Sequence, residues 1–285
     1  MKLATYDLGG TVRVGLVSDD ETSIQPIAAA DMLDAIVRWD EIAGALAGED
    51  SVPLSRVRLL APIPHPRRNI ICVGKNYRDH AKEFALSGFE AGAVAGAEID
   101  THPAVFTKPA STVIGPDAEV DTHPGVTDSI DYEVELALVI GRGGKGIKAA
   151  DAFSHIFGYT IVNDVTARDL QKSHKQWFIG KSLDTFCPMG PWITTADALD
   201  AENLDVKTWV NGELRQNANT RDLIFTIPSL IETISAGMTL EPGDIIATGT
   251  PSGVGIGFKP PKFLKSGDVV KLSISGIGEL TNRFA

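Results

Sequence analysis

Residues 131–140 read DYEVELALVI, and they decide how the rest of the chain is interpreted. Side chains alternate between the two faces of a β-strand, so Glu133 and Glu135 share one face here. Two carboxylates on one face can converge on a hard cation, although an isolated Glu-x-Glu pair more often faces water. The rest of the strand is apolar, which favours the cation site; its opposite face consists of Val134, Leu136, Leu138 and Ile140.

Short strands are predicted on both sides of this stretch. Apolar and β-branched runs bounded by turn residues predict them at 69–74, 105–108, 119–120, 157–162, 244–248 and 268–274. The residues TWVNGELRQ predict a hairpin over Asn211-Gly212, and the helices expected beyond residue 66 lie near 79–86, 165–173 and 229–238. Many short strands with few helices favour a β-rich α+β fold, a mixed β-sandwich roll, over a doubly wound parallel sheet.

The first 66 residues are predicted to form a small α+β domain. Residues 3–16 alternate with a period of two around Gly9-Gly10, which predicts a hairpin, and DMLDAIVRWDEIAGAL at 31–46 has helical spacing. Three prolines within residues 62–66 make a stiff, extended connector. We therefore expect one domain over 1–66 and a catalytic β-roll domain over 67–285.

The composition excludes several classes of protein. The 26 Lys and Arg residues and 37 Asp and Glu residues leave a net charge of −11, which argues against nucleic acid or an anionic membrane as a partner. Two cysteines are too few for a disulfide scaffold or a cysteine-rich zinc site. No apolar run reaches about 18 residues, and the N-terminus lacks the pattern of a signal peptide. We expect a cytoplasmic protein that does not enter a membrane.

Asp164 supplies a third candidate carboxylate, where the predicted strand 157–162 gives way to a helix. An acid at this place can cap the helix or ligate a metal ion. Three carboxylates without a His or Cys partner suit Mg²⁺ or Mn²⁺. Arg168 and Gln171 lie three residues apart on the helix that follows, so both can offer hydrogen-bond donors to a substrate carboxylate.

His80 and Glu83 are the candidate acid–base pair. They lie three residues apart on a short predicted helix, just after the abrupt turn at Gly74, and so share one helix face. A carboxylate beside an imidazole orients it and raises its basicity, as a general base requires. A solvated polar helix face would show the same spacing.

Lys181 and the turn at Gly249-Thr250 are further candidates, each with an ordinary structural alternative. Lys181 is either a surface lysine or, if buried near a metal ion, a group that stabilises developing negative charge. The glycine-rich turn that follows the strand 244–248 has N–H groups and the Thr250 hydroxyl, which can hold oxygens. It can equally be a simple turn at a strand end.

The residues GRGGKG at 141–146 match the G-x-G-x-x-G pattern of nucleotide-binding loops. A dinucleotide-binding fold begins on a continuous apolar strand, whereas the strand before this loop carries Glu133 and Glu135. Gly146 also stands where the Walker form requires Ser or Thr. We interpret the stretch as a glycine-rich turn, which leaves a non-catalytic nucleotide-binding protein as the least supported alternative.

Taken in order, the motifs between residue 67 and the C-terminus resemble the fumarylacetoacetate hydrolase family. The resemblance implies a β-rich roll behind a small N-terminal domain, and a homodimer. The matching pieces are Gly74-x-Asn76-Tyr77-x-x-His80-x-x-Glu83, Phe106-x-Lys108-Pro109, Asp131-Tyr132-Glu133-x-Glu135-Leu136, Asn163-Asp164-x-Thr166-Ala167-Arg168-Asp169-x-Gln171, Gly180-Lys181-x-x-Asp184-Thr185-Phe186-x-Pro188 and Thr248-Gly249-Thr250-Pro251-x-Gly253-Val254.

The resemblance also implies roles for the candidate residues. It implies one Mg²⁺ or Mn²⁺ per chain on Glu133, Glu135 and Asp164, and a His80–Glu83 dyad that a closing lid brings in. It implies that an enolate is stabilised by Arg168, Gln171 and Lys181, and that the substrate is contacted by Tyr77, Lys108, Gly249 and Thr250. Lys75 stands where relatives often carry Arg.

These roles favour a divalent-metal-dependent hydrolase. It would cleave the C–C bond of an acylpyruvate or related 2,4-diketo acid to pyruvate, or a related 2-oxo acid, and a carboxylic acid; the metal would act as Lewis acid and His80 would activate water. The alternative is an isomerase or decarboxylase that acts on a 2-oxo diacid through a metal-bound enolate. The acyl group stays open, because its contacts are expected in the lid, residues 84–97.

Overall fold

A twelve-stranded mixed sheet runs through the structure, a computed structural model that describes residues 1–44, 50–89 and 101–285. A two-stranded and a four-stranded sheet accompany it. The strands are β1 (Lys2–Leu8), β2 (Thr11–Val17), β3 (Ser23–Pro26), β4 (Val52–Pro53), β5 (Arg58–Leu59), β6 (Ile70–Gly74), β7 (Ala104–Lys108), β8 (Val113–Ile114), β9 (Ile130–Asp131), β10 (Val134–Ile140), β11 (Ile156–Asn163), β12 (Thr166–Ala167), β13 (Cys187–Thr195), β14 (Asp205–Val210), β15 (Glu213–Asn219), β16 (Ile245–Ala247), β17 (Val269–Ile274) and β18 (Gly278–Arg283).

Helices are short and few, as the sequence predicts. The described residues form α1 (Met32–Val37), α2 (Trp39–Ala43), α3 (Arg78–Ser87), α4 (Arg168–Ser173), α5 (Phe178–Lys181) and α6 (Ile227–Ser235). Short 3₁₀ helices lie at Leu54–Arg56, Ala110–Thr112, Ala149–His155, Ala196–Ala198, Thr220–Asp222 and Gly255–Gly257. No helix in the described ranges is long and apolar enough to cross a membrane.

The large sheet has the strand order β4-β3-β2-β1-β13-β11-β10-β16-β6-β7, with β5 beside β1 and β8 beside β13. The predicted N-terminal hairpin is confirmed, and its first strand pairs antiparallel with β13, so the N-terminal segment extends the sheet of the main body. The single helix predicted over 31–46 is instead two helices that meet at Arg38, and its residues 45 and 46 lie outside the described ranges. The domain division at residue 66 stays a prediction.

Strand β10 lies inside the fold, because both of its faces are covered. Leu136, Leu138 and Ile140 pack into one apolar cluster, which also holds residues of the four-stranded sheet β15-β14-β17-β18. Ala137 and Val139 pack into a second cluster on the other face. The predicted fold class, a β-rich α+β sandwich roll, is confirmed, as is the hairpin over Asn211-Gly212, where both residues have the positive φ of a two-residue turn.

Three local predictions differ from the structure. The strand predicted over 131–140 breaks at residues 132–133, because the Tyr132 N–H donates to the Asp131 carboxylate and the Glu133 N–H to Asn163 Oδ1, in place of ladder acceptors. The strand predicted at 119–120 is a single bridge from Val120 to Phe284. The helix predicted from residue 165 begins at Arg168.

The glycine stretch 141–146 connects two antiparallel neighbours. It leads from β10 through the 3₁₀ helix Ala149–His155 into β11, which pairs antiparallel with β10. A dinucleotide-binding loop joins a strand to an α-helix within a parallel βαβ unit. The stretch therefore lies outside the structural setting that the nucleotide-binding alternative requires.

Candidate active site

The three predicted metal ligands come together in the interior. One carboxylate oxygen from each of Glu133, Glu135 and Asp164 lies within 4.8 Å of the others. Glu135 projects from β10, Asp164 directly follows the neighbouring strand β11, and the Asp164 N–H donates to the Glu133 carbonyl at 2.9 Å. The helix that follows begins at Arg168 with Ala167 as its cap, so Asp164 does not cap it.

Buried cations surround two of these carboxylates. Lys181 Nζ lies 2.7 Å from Glu133 Oε2 and 2.6 Å from Asp164 Oδ2. Lys108 Nζ lies 2.7 Å from Asp164 Oδ1, and the Arg168 guanidinium pairs with the second oxygen of Glu133. Lys181 is 2 % exposed, so the surface-lysine interpretation is wrong.

Glu135 differs from the other two acids because no Lys or Arg of the described ranges pairs with it. Its carboxylate accepts one hydrogen bond, from Gly249 N–H at 2.8 Å. Burial, with the negative charges of Asp164 and Glu133, raises the pKa of Glu135 well above its ordinary value. Burial also acts to raise the pKa of Glu133, but Lys181 and Arg168 outweigh it and hold that pKa below its usual range.

The charge and chemistry of this cluster fit a divalent cation. The candidate ligands are all carboxylate oxygens, which hard cations such as Mg²⁺ and Mn²⁺ prefer. A buried carboxylate without a cationic partner is costly, and a bound cation at Glu135 would remove that cost. Glu133, Glu135 and Asp164 are thus the residues that would hold the metal ion.

Arg168 and Gln171 both lie on the first turns of α4 and face the acidic cluster. Arg168 Nε donates to Asp131 Oδ2 at 2.9 Å, and its Nη1 donates to Gln171 Oε1 at 3.1 Å. Burial acts to lower the pKa of Arg168, but Glu133 and Asp131 outweigh it and raise the pKa. The guanidinium is therefore a buried positive charge, and Asp131, Glu133 and Gln171 accept hydrogen bonds from it.

The predicted dyad forms on α3. His80 Nδ1 lies 3.2 Å from Glu83 Oε2, and the other Glu83 oxygen accepts from Gly253 N–H at 2.9 Å. His80 is 4 % exposed, so the solvated-face alternative is wrong. A proton on Nδ1 satisfies the Glu83 carboxylate and leaves Nε2 as the basic nitrogen.

A cavity joins the dyad to the acidic cluster. Of the candidate metal ligands, Glu133 and Glu135 line it and Asp164 does not; of the dyad, His80 lines it and Glu83 does not. The predicted site residues that line it are His80, Glu133, Glu135, Arg168, Gln171, Lys181 and Thr250.

Three predicted substrate contacts occupy other places. Lys108 donates to Asp164, to the Val165 carbonyl and to the Lys181 carbonyl, which uses all three of its protons inside the protein. The Gly249 N–H is used by Glu135. Tyr77 is buried beside a neighbouring cavity rather than this one. Their role as substrate contacts stays a prediction that this arrangement does not favour.

Thr250, the fourth predicted contact, lines the cavity and depends on a residue that sequence reasoning missed. Its hydroxyl oxygen accepts from Gln216 Nε2 at 2.8 Å, which leaves the hydroxyl proton for another acceptor. Gln216 lies on β15, in the four-stranded sheet. No sequence signal links the two, since their segments approach only through the packing of the two sheets.

The aromatic wall of the cavity was also missed. The Trp177 ring packs edge-on against Phe84 and Phe106, with centroids 6.1 Å and 5.3 Å away. Lys181 Nζ lies 5.0 Å from the Phe106 centroid. Of the predicted lid, residues 84–87 belong to α3, and residues 90–97 lie outside the described ranges.

Gly249 is the glycine whose backbone the site requires. Its φ is +107°, and a Cβ there would lie 2.7 Å from the Asn76 Cβ and 3.1 Å from the Val73 carbonyl oxygen. We expect Gly249→Ala to lower the free energy of unfolding by about 1–3 kcal/mol, since the strain has no relief. It should also weaken Mn²⁺ binding, because the N–H that orients Glu135 moves. Denaturant unfolding and a Mn²⁺ titration measure the two effects.

Gly237→Ala is the matched control, because open space surrounds that position. It should leave both quantities close to wild type. Equal unfolding midpoints for the two variants would contradict the strain argument.

Comparison with known proteins assigns the family. Residues 69–285 match the family model described as fumarylacetoacetate (FAA) hydrolase C-terminal, and residues 1–62 match the one described as Rv2993c-like, N-terminal. The chain therefore belongs to the fumarylacetoacetate hydrolase family.

Its relatives include enzymes of more than one activity. Oxaloacetate tautomerase YisK of Bacillus subtilis is 50% identical over 308 aligned positions, which cover 99% of each chain. The solved fumarylacetoacetate hydrolase of Exiguobacterium antarcticum is 44% identical, with a TM-score of 0.86 over 100% of this chain and 99% of its own. Maleylpyruvate hydrolase of Sphingobium, solved with manganese(II) and pyruvate, is 35% identical, with a TM-score of 0.79 over 100% and 99%.

Proposed function

We propose that this protein is an isomerase that interconverts the enol and keto forms of a 2-oxo dicarboxylic acid, with oxaloacetate as the first candidate. The placement of His80 in one buried cavity with Lys181, Arg168 and the acidic cluster carries this proposal. The full-length likeness to an oxaloacetate tautomerase supports it, and for this reason we rank tautomerisation ahead of the C–C hydrolysis that the motifs alone favoured.

A divalent cation is part of the proposal. Bound by Glu133, Glu135 and Asp164, it would withdraw electron density from the 2-oxo and carboxylate oxygens of the substrate. We propose Mg²⁺ or Mn²⁺, one per chain; the manganese in the related maleylpyruvate hydrolase supports the class of ion.

The side chains of this protein would bind the substrate and move its proton. Three of the five N–H donors of Arg168 have partners among the described residues, which leaves two for a substrate carboxylate. The Gln171 amide offers further donors, and the Lys181 ammonium stabilises charge on the enolate oxygen. In the keto-to-enol direction His80 Nε2 takes the proton from C3 and gives it to the 2-oxo oxygen of the enolate, and in the opposite direction it takes the enol O–H proton and gives it to C3, while Glu83 holds the ring.

Hydrolysis of an acylpyruvate or another 2,4-diketo acid is the second candidate. The His80–Glu83 dyad favours it, because a base that moves a proton at carbon can also activate water. The likeness to a maleylpyruvate hydrolase solved with pyruvate supports it as well. Cleavage would yield pyruvate, or a related 2-oxo acid, and a carboxylic acid.

One assay separates these reactions. Enol oxaloacetate and a panel of acylpyruvates are given to the enzyme with Mn²⁺ or Mg²⁺, and loss of enol or diketone absorbance is followed together with pyruvate release. We expect faster loss of the oxaloacetate enol than in Mn²⁺ without enzyme, and no pyruvate. Pyruvate from an acylpyruvate, without accelerated tautomerisation, would establish the hydrolase instead. Pyruvate from oxaloacetate would indicate decarboxylation.

We also propose that the protein assembles as a homodimer. Its membership of the fumarylacetoacetate hydrolase family supports this proposal. Light scattering on the purified protein should give twice the 30.3 kDa mass of the chain.

A further inference from the structure

Asp131 carries a carboxylate that four donors surround. Its Oδ1 accepts from the N–H groups of Tyr132 at 2.9 Å and Gly255 at 2.6 Å. Its Oδ2 accepts from the Ile256 N–H at 3.1 Å and from Arg168 Nε at 2.9 Å. The side chain is fully buried and lies outside the lining of the cavity, so it has no access to substrate.

Two of the backbone donors, Gly255 and Ile256, belong to a turn that also holds the dyad. This turn, residues 253–257, donates from Gly253 N–H to Glu83 Oε1 at 2.9 Å. At Gly257 it approaches Glu83 so closely that a Cβ would lie 1.8 Å from the same oxygen. Val254 and Ile256 pack against Phe84, one residue further along α3. The position of Glu83, and through it of His80, thus depends on where the turn lies.

The fourth donor, Arg168, contacts the acidic cluster as well as Asp131. Arg168 divides its guanidinium between Asp131 and Glu133, and Glu133 is one of the candidate metal ligands. Without the Asp131 charge, Arg168 would keep a buried positive charge with one carboxylate fewer, which is costly. The Asp131 carboxylate therefore contacts both the turn 253–257, which positions Glu83, and Arg168, which pairs with Glu133.

We propose that Asp131 is a positioning residue that holds the His80–Glu83 dyad in register with Arg168 across the cavity. The proposal rests on the proposed function in so far as the dyad performs the proton transfer. Asp131 acts through the turn 253–257 and does not touch the reacting atoms.

Asp131→Asn tests the proposal with little change of volume. An amide NH₂ replaces one acceptor oxygen, so at least one of the four donors must face another donor and move away. Displacing a catalytic group by about 1 Å can cost about 10²-fold in rate. We expect kcat to fall by about that factor.

Asp244→Asn is the matched control. Asp244 is also a buried aspartate, and its Oδ2 accepts from Arg68 Nη1 and from the Glu241 N–H, both at 2.8 Å, away from the site. Asp244→Asn should lower the free energy of unfolding much as Asp131→Asn does, but it should keep the wild-type kcat.

A double-mutant cycle distinguishes positioning from general damage. If Asp131 acts through Glu83, then Asp131→Asn should cost at most a few-fold in kcat once Glu83→Gln is present. A merely structural role predicts the same factor of about 10² in both backgrounds.

A second readout does not depend on any activity. The NMR signals of the His80 ring, assigned by their loss in His80→Ala, should shift in Asp131→Asn and stay in place in Asp244→Asn. Gly255→Ala gives a second test of the turn if Asp131→Asn does not fold, because its Cβ would lie 2.5 Å from the Lys262 carbonyl oxygen and 2.8 Å from Asp131 Oδ1 and would push the turn away from both.

The proposal would be overturned if Asp131→Asn lowered kcat by the same factor with and without Glu83→Gln. It would also be overturned if the His80 signals did not move in a folded Asp131→Asn variant. A wild-type enzyme without turnover on oxaloacetate or acylpyruvates would count against the proposed function alone, and the His80 signals would still decide the role of Asp131.

Discussion

Glu135→Gln is expected to abolish both the activity and its response to Mn²⁺, while the metal-free protein unfolds no more easily than wild type. Glu135 is 1 % exposed, and burial with two neighbouring acids raises its pKa. Gln keeps the shape and an acceptor for Gly249 N–H, and it replaces an acid whose charged form burial disfavours, so the metal-free fold should be unharmed. Replacing a residue that only hydrogen-bonds to a metal ligand already lowers metal affinity or activity by about 10–100-fold. Loss of a ligand should cost more.

Thermal unfolding with and without Mn²⁺ measures this directly. At a concentration of 100 times its dissociation constant, the ion should stabilise wild type by about 2.7 kcal/mol. Glu135→Gln should lose that stabilisation, whereas Glu213→Gln, an exposed acid on β15, should keep it. Full activity of Glu135→Gln after chelator treatment would show that the acidic cluster is not the metal site.

His80→Ala should lower kcat for enol–keto conversion by about 10²–10⁴-fold, which is the usual contribution of a positioned acid–base group. His80 and Lys181 line the same cavity, and Glu83 holds the His80 ring. The loss should be as large for hydrolysis of an acylpyruvate, since water also needs a base. Decarboxylation of oxaloacetate should suffer much less, because it needs mainly the metal ion and the enolate stabilisers.

Uptake of solvent deuterium at C3 of the product reports the proton transfer itself. It should slow in His80→Ala in parallel with kcat. His65→Ala serves as the control, because His65 is exposed and lies outside this cavity. Unimpaired deuterium uptake in His80→Ala would remove the dyad from the mechanism.

The sequence by itself determined which side chains lie close together on one strand or on one helix face. The period of two in DYEVELALVI predicted that Glu133 and Glu135 share a face, and the end of the next strand predicted Asp164 beside them. The spacing of three between His80 and Glu83 likewise predicted a dyad on one helix face. Such periods follow from backbone geometry within a few residues, so they can be seen without the fold.

The tertiary structure alone decided which partner each of these groups meets. Lys108 was predicted as a substrate contact, yet its three protons are used by Asp164 and by the carbonyls of Val165 and Lys181. Asp131 belonged to a recognised motif without a role, and its link to the turn at 253–257 spans more than a hundred residues of sequence. Contacts of this kind form because packed sheets bring distant segments together, where every buried donor and charge must find a partner. Local spacing carries no information about that choice.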